Sequence, residues 1–406
     1  MKRFFLIFTI TISLFAKSFL ISPIPLPKAQ ILDTELNECD NECLEKSLLD
    51  GKIFSFLAKA KNIQSKDLKE QFNLYASLFN LVEESQNFTK FRIALISPVK
   101  RIGKYAKSTM KSIIAYMLFK NANFYIKNFK IGDESTKTLQ STLNTIENEN
   151  FDFVIAPLTS EGVKNIATIS SNIKIYIPTF NKYTIDNSAN SNIFFGGIDY
   201  KKQIDKLLNF ANSKMAIFYE ENSPLAIKLT SMIEKNSSFP IETIGINKEM
   251  TNFKRYFYKN EDLNESTLFL NTPIVESSLI LSQLTLYDIE PKRVLSTQIN
   301  YNPLIFTLTQ YHDRKNLLVA NSILNPSDLL EETNSIINND IAFNWINYST
   351  SIGIDYFFSN KVHSNRVFSE DIIDNQVAYK TILEKALIGS FKPIEEIQTE
   401  QETPYQ

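Results

Sequence analysis

From Phe91 onward the chain repeats one pattern, a short apolar run of strand length followed by a segment with apolar residues at helical spacing. "FRIALISPV" precedes a helix-like stretch from Lys104 to Lys120 with Met110, Ile113, Ile114 and Met117 on one face. "NFYIKNF" precedes "TLQSTLNTIENEN", "FDFVIAPL" precedes Ser160 to Ser170, and "IKIYIPTF" closes the series. A second series runs through "KMAIFYE" with Pro224 to Lys235, "FPIETIGI" with Asn252 to Tyr258, "STLFLNT" with Val275 to Tyr287, and "KRVLSTQ". A helix between two strands returns the chain to the edge where it started, so the strands pair in parallel through right-handed crossovers. The pattern predicts an α/β fold of two doubly wound lobes, residues 91–198 and 199–325, with a return segment, 326–392, completing both. A cleft is expected between the lobes.

The region ahead of Phe91 follows a different rule. The first eighteen residues, MKRFFLIFTITISLFAKS, set Lys2 and Arg3 before an apolar run from Phe4 to Phe15, and Ala16 and Ser18 follow in small-x-small order. That is the arrangement of a secretory signal peptide, residues 1–18, cleaved near Ser18. Its apolar core falls short of the roughly 20 residues a membrane helix needs, so the mature protein is expected to be exported, soluble and periplasmic. A Pro-containing linker, residues 19–35, leads to residues 36–90. There Leu44, Leu48, Ile53, Leu57, Phe72, Tyr75, Phe79 and Leu81 recur near helical spacing and predict a small α-helical domain of two to four helices. Cys39 and Cys43 are the only cysteines, and an even count in an oxidising compartment predicts a disulfide between them at a turn or helix start. Residues 393–406, rich in Glu and Gln, read as a disordered tail.

Composition removes several functions. With 43 Lys and Arg against 45 Asp and Glu, the formal charge of −2 gives no global attraction to nucleic acid. The two histidines, His312 and His363, stand in no recognisable nucleophile context, and no Gly-rich phosphate loop is present. Catalysis is therefore not expected, and neither is a metal or any other cofactor. Binding remains, and in an open parallel sheet it takes place beyond the carboxyl ends of the strands.

Several residues fall at such ends. In "FDFVIAPLTSEGVKNIA", Thr159 and Ser160 leave a strand and begin a helix, where N–H groups and hydroxyls can meet a carboxylate. They also read as a plain helix cap. Glu220, after "KMAIFY", can meet an amino group, and equally forms part of a polar loop into the helix at Pro224. Tyr105, Phe180 and Tyr219 stand where aromatics wall a pocket or finish a core. Lys100, Arg101, Lys104, Lys107 and Lys111 form a basic cluster that suits an anionic ligand or an acidic partner, or is a solvated helix face. Hinges around Gly196-Gly197, Thr297 to Tyr301 and Asn325 to Ser327 would let the lobes close.

The order of "IALISPV...GKYA", "VIAPLTSEGV", "MAIFYEENSPLA" and "LFLNTP...LILSQLTLYDIEPKRVLST", with "NWINYSTSIGIDYFF" as a returning helix, resembles the type I periplasmic binding proteins over roughly residues 91–392. The resemblance implies two Rossmann-like lobes and, at Thr159 and Ser160, the place where amino-acid binders hold the ligand's carboxylate. "APLTSEGV" is also similar to a loop of peptidoglycan synthase activator lipoproteins, which carry a helical domain ahead of a binding-protein-like domain. This chain has a much shorter helical part and no cysteine beside the leader. Two roles are thereby implied. One is a non-catalytic scaffold or regulator of an envelope protein complex, such as a cell-wall synthase, a secretion apparatus or a flagellar motor assembly, touching the membrane only through a partner. The other is a solute-binding protein that delivers an amino acid or small anion to an ABC transporter.

Overall fold

The computed structural model describes residues 31–34, 37, 39–60, 63, 65–79, 81, 91–184, 191–211 and 214–395. The signal peptide, most of the linker and most of the tail expected from the sequence lie outside the described residues. The chain divides into two units, residues 1–89 and 90–406.

The described residues of the first unit form three helices, α1 (Asn41–Leu49), α2 (Ile53–Lys59) and α3 (Lys66–Leu78). Asp40 caps α1 by accepting the Cys43 N–H at 2.9 Å, and the bridge from Cys39 to Cys43 closes over the same turn with 5.3 Å between Cα atoms. The disulfide thus sits at a helix start. Leu44, Phe56, Leu57 and Leu68 are buried among Phe72, Tyr75, Phe79 and Leu81. This small core does not use every apolar side chain, since Leu49, Phe54, Leu74 and Leu78 of the same helices are exposed.

The second unit begins with β1 (Phe91–Pro98), α4 (Val99–Phe119), β2 (Phe124–Ile131), α5 (Thr136–Asn148), β3 (Phe153–Ile155), α6 (Ser160–Ala167), β4 (Ile175–Ile177) and β5 (Ile193–Phe195). It continues through α7 (Tyr200–Leu208), β6 (Met215–Glu220), α8 (Pro224–Asn236), β7 (Ile241–Ile246), α9 (Lys254–Phe257), β8 (Thr267–Asn271), α10 (Ile274–Leu286), β9 (Arg293–Ser296), α11 (Leu304–Leu308), α12 (Tyr311–Arg314) and β10 (Leu317–Asn321). The return segment supplies α13 (Asp328–Ile336), α14 (Trp345–Val362), β11 (Ile372–Ile373), β12 (Gln376–Val377), β13 (Ile382–Ala386) and β14 (Phe391–Pro393).

Two seven-stranded sheets result, ordered β11-β12-β5-β4-β3-β1-β2 and β14-β13-β10-β9-β8-β6-β7. The strands at the centre are parallel and almost wholly apolar because helices cover both faces. The expected doubly wound α/β lobes are there, and their sheets are mostly parallel. The return segment adds antiparallel pairs at one edge of each sheet, β11 with β12 and β13 with β10 and β14; β11 and β12, like β13 and β14, are joined by a few residues and so can only reverse direction. Pro393, where the expected tail starts, belongs to β14. Edge position explains why a proline is tolerated there.

The chain crosses between lobes after β5, between β10 and α13, and between β12 and β13. The hinge expected at Thr297 to Tyr301 is not a crossing, since β9 and β10 on either side pair with each other. Helix α14 joins the crossings. The Ser349 hydroxyl donates to the Gly196 carbonyl at 2.8 Å, and the Tyr379 hydroxyl donates to the same oxygen at 2.6 Å. The Tyr348 hydroxyl accepts the Leu324 N–H at 3.2 Å and donates to Glu370. Gly353 lets the helix lie directly against the buried ring of Tyr176. Inside this helix Asp355, fully buried, accepts from the Tyr116 hydroxyl at 2.7 Å, Arg366 Nε at 3.1 Å and the Val367 N–H at 2.9 Å. A buried carboxylate is tolerated when so many donors converge on it.

Candidate functional site

Thr159 occupies the N-cap position of α6 in extended backbone geometry, and Ser160 is the first helical residue and is exposed. The Thr159 hydroxyl makes no bond to its own helix. It donates instead to the carboxylate of Glu134, whose other oxygen accepts the Thr159 N–H at 2.8 Å. Glu134 is 3% exposed and lies on the loop between β2 and α5, at the carboxyl end of the sheet. Asn165 of α6 donates to its backbone carbonyl at 2.7 Å. Gly162 makes room for it, since a Cβ there would lie 2.3 Å from Glu134 Oε1. The head of α6 does what its N–H groups and dipole favour, which is to hold an anion. The anion is a side chain of the protein itself.

A cavity of about 360 Å³ lies at the carboxyl ends of the second sheet. Glu220 and Asn271 reach it from the ends of the neighbouring strands β6 and β8, and Gln298 from the turn after β9. Tyr105 of α4 closes it from the first lobe, and Asp340 and Trp345 belong to the segment that leads into α14. Gln298 belongs to a buried net. Its N–H donates to Gln203 Oε1 at 3.0 Å, its Nε2 to Asn321 Oδ1 at 3.0 Å, and its Oε1 accepts the Ser322 N–H at 2.6 Å. This floor is saturated and holds its shape. Asn271 differs. Its Nδ2 donates to Thr230 at 3.0 Å, while its buried Oδ1 has no partner among the described residues, and neither has the hydroxyl of Tyr200, another lining residue. Burial pushes the Tyr200 hydroxyl well above its ordinary range, so it stays protonated.

No family model matches the chain, and no curated protein does. Solved structures do. LivJ, the branched-chain amino acid transporter substrate binding protein of Streptococcus pneumoniae in complex with isoleucine, superposes with a TM-score of 0.53 at 12% identity over 75% of this chain and 98% of its own. A branched chain amino acid ABC transporter protein of Thermus thermophilus with bound valine gives 0.56 at 12% identity over 76% and 96%. The C-domain of LpoA from Haemophilus influenzae, a regulator of PBP1A, gives 0.50 at 11% identity over 74% and 99%. The chain has a type I periplasmic binding protein-like fold.

In this type I fold the sequence-derived site residues separate into groups. Glu220 and Tyr105 meet at the cavity. Thr159 is engaged by Glu134 and does not line the cavity. Phe180 packs on the core of the first lobe and its carbonyl accepts the Gly197 N–H at 2.7 Å, so it finishes a core beside a crossing. Tyr219 is half-buried, lies one residue before the end of β6 opposite Asn271, and does not line the cavity. The basic cluster is divided. Helix α4 is interrupted at Ile102, where φ is −137° and ψ 37°, which sets Lys100 and Arg101 on a turn of their own. Arg101 pairs with Glu161 at 3.6 Å. Lys100 helps hydrogen bonds from Ser135 hold the Asp133 carboxyl down to about 2. Lys111 donates to the Asn338 carbonyl at 2.9 Å, just beyond the end of α13, and burial followed by repulsion from Lys107 lowers its pKa. Lys104 and Lys107 are exposed.

The residues that sequence reasoning missed are Glu134, Asn271, Asp340, Tyr301 and Trp345. Only Asn271 carried a local signal, as a polar residue ending the apolar strand "TLFLN". Among the described residues no group of three or more His, Cys, Asp or Glu is placed to hold a metal, and no helix is long and apolar enough to cross a membrane.

Proposed function

We propose that the chain is a non-catalytic module of the periplasm that acts as scaffold or regulator of an envelope protein complex. The observation that carries this reading is the carboxylate of Glu134 seated on the N–H and hydroxyl of Thr159 at the head of α6. An amino-acid carrier of this fold is expected to keep that position free for its ligand's carboxylate. Here the position is filled from within, so an α-amino acid loses one of its two charge contacts. The exposed Leu49, Phe54, Leu74 and Leu78 of the helical unit support a surface role, because apolar side chains left in water add nothing to the stability of the unit. A cell-wall synthase, a secretion apparatus and a flagellar motor are the machines this role suits.

Two measurements on the intact exported protein test the reading. A thermal-shift screen with amino acids and small carboxylates is expected to show no stabilisation, and crosslinking in intact envelopes is expected to capture a protein partner through residues of the helical unit. Stabilisation by a millimolar amino acid, with no partner captured, would overturn it in favour of solute delivery. That second reading is favoured by one observation, the cavity beside Glu220.

A further inference from the structure

The cavity at the ends of β6, β8 and β9 has a one-sided chemistry. Two carboxylates line it, Glu220 and Asp340, and none of the described residues that line it is Lys, Arg or His. Glu220 is 8% exposed, so a cation that meets it in the cavity does so in a poorly solvated setting where charge counts for more. Its one cationic neighbour, Lys248, stands 3.4 Å away on a side chain that is 72% exposed. The lysine end of this pair is exposed and can turn back into water, so a cation inside the cavity competes with it for the buried carboxylate. Asp340 Oδ1 accepts the Phe343 N–H at 2.9 Å, which fixes the carboxylate in place.

Asn271 adds an independent observation. It is 0% exposed, it lines the cavity, and its Oδ1 is an acceptor with no donor among the described residues. A buried acceptor without a donor is costly and is kept where a ligand or water supplies the missing hydrogen. The walls are aromatic, with Tyr105, Tyr301 and Trp345 among them, and aromatic faces attract cations and pack on methylene chains. About 360 Å³ is room for a small organic molecule.

From these features we propose that the cavity binds a small organic cation that carries no carboxylate, an amine or a guanidine with a short apolar body. The ammonium or guanidinium is held by Glu220 and Asp340, donates to Asn271 Oδ1, and lies against the aromatic wall. The head of α6, where a carboxylate would go, already holds Glu134. This inference does not rest on the scaffold reading, because the ligand is tested on the isolated protein and the partner in the envelope.

Trp345 is the single tryptophan of the chain and lines the cavity, so its fluorescence reports occupancy directly. Cadaverine and agmatine are titrated against the full mature protein, each beside its carboxylate-bearing counterpart, lysine and arginine. The amines are expected to change Trp345 emission and raise thermal stability, with the amino acids at least about tenfold weaker. Glu220→Gln and Asp340→Asn keep size and hydrogen-bonding capacity and are expected to weaken the amines about tenfold each, without lowering the unfolding temperature of the free protein. Absence of any response to the amines at millimolar concentration overturns the proposal, as does binding of the amines by both variants as tightly as by wild type. Tighter binding of lysine or arginine than of the amines also overturns it, since the site would then read a carboxylate.

Discussion

Removing the Glu134 side chain is expected to turn an internal contact into an open site. Glu134→Ala deletes a carboxylate that accepts two hydrogen bonds from Thr159, one from its N–H at 2.8 Å and one from its hydroxyl. Bonds to a charged acceptor contribute about 1.5–3 kcal/mol each, and water reaching the exposed Ser160 side of the helix recovers part of that. A net loss of about 2 kcal/mol follows, which lowers the unfolding midpoint by about 4–8 °C at roughly 2–4 °C per kcal/mol. The space above Gly162 stays free in this variant, so acetate can enter and take the same donors. At acetate tenfold above its dissociation constant, linkage returns about 1.4 kcal/mol. Calorimetry of wild type and variant with acetate, and with chloride at equal ionic strength, measures both quantities. The double variant Glu134→Ala with Gly162→Ala supplies the control. Its added Cβ stands where Glu134 Oε1 was, at 2.3 Å from the original oxygen, so acetate is expected to be excluded. A midpoint of Glu134→Ala within about 0.5 kcal/mol of wild type, or acetate acting equally on all three proteins, would refute the argument.

Further outcomes follow from the return helix. Gly353→Ala places a Cβ 2.4 Å from the ring of Tyr176, which is fully buried and cannot retreat, and a loss of about 2 kcal/mol is expected. Gly103→Ala, also in a helix but with only Val99 at 3.6 Å, is expected to gain up to about 1 kcal/mol, so urea unfolding of the pair should give opposite signs. Burial pushes the Glu370 carboxyl above its ordinary value, against a hydrogen bond from Tyr348. A raised folded value means that its contribution to stability is full below the unfolded value and is lost as pH rises through the folded one. Glu370→Gln cannot ionise and is therefore expected to gain on wild type as pH rises from about 4 to 8 in denaturant titrations, and a difference that does not change with pH would count against this assignment.

The sheets were legible because their central strands are continuous apolar runs, and helices with one apolar face lie between them. "FRIALISP" and "TLFLN" are buried along most or all of their length, which leaves no other reading. The disulfide followed from cysteine count and compartment. What escaped is set by distant partners. β5, β11 and β12 are two or three residues long and carry too little pattern to separate them from loop. Glu134 stands in "IGDEST", a stretch indistinguishable from a solvated turn, and only the head of a helix 25 residues later makes it a buried anion. Helix α14 mixes Asn, Ser, Thr and Asp with apolar residues because it bonds to the crossings on several sides, so its composition follows no single face. Glu220 lines the cavity because it ends a strand, whereas Phe180, at the same kind of position, packs on a core and Tyr219, one residue earlier than Glu220, does not line the cavity.

An α-amino acid presents two opposite charges a short distance apart, and a protein that selects one must offer a donor set and an acceptor set together. In this chain helix α4 links the two places. Arg101 pairs with Glu161 at the head of α6, and Tyr105, four residues on, lines the cavity that holds Glu220. The donor set at α6 is satisfied by Glu134, and the acceptor set at the cavity is left with Glu220, Asp340 and Asn271. Filling one pole while leaving the other changes the charge of the preferred ligand from zwitterion to cation. It also removes the bridge that a single small zwitterion would make between the lobes, so closure cannot be driven by an amino acid spanning both sites. Helix α14 joins the crossings at Gly196 and Leu324 through Ser349 and Tyr348, and Gly353 seats it on Tyr176 of the first lobe. Such a brace suits the proposed scaffold role better than a carrier that must close on an amino acid.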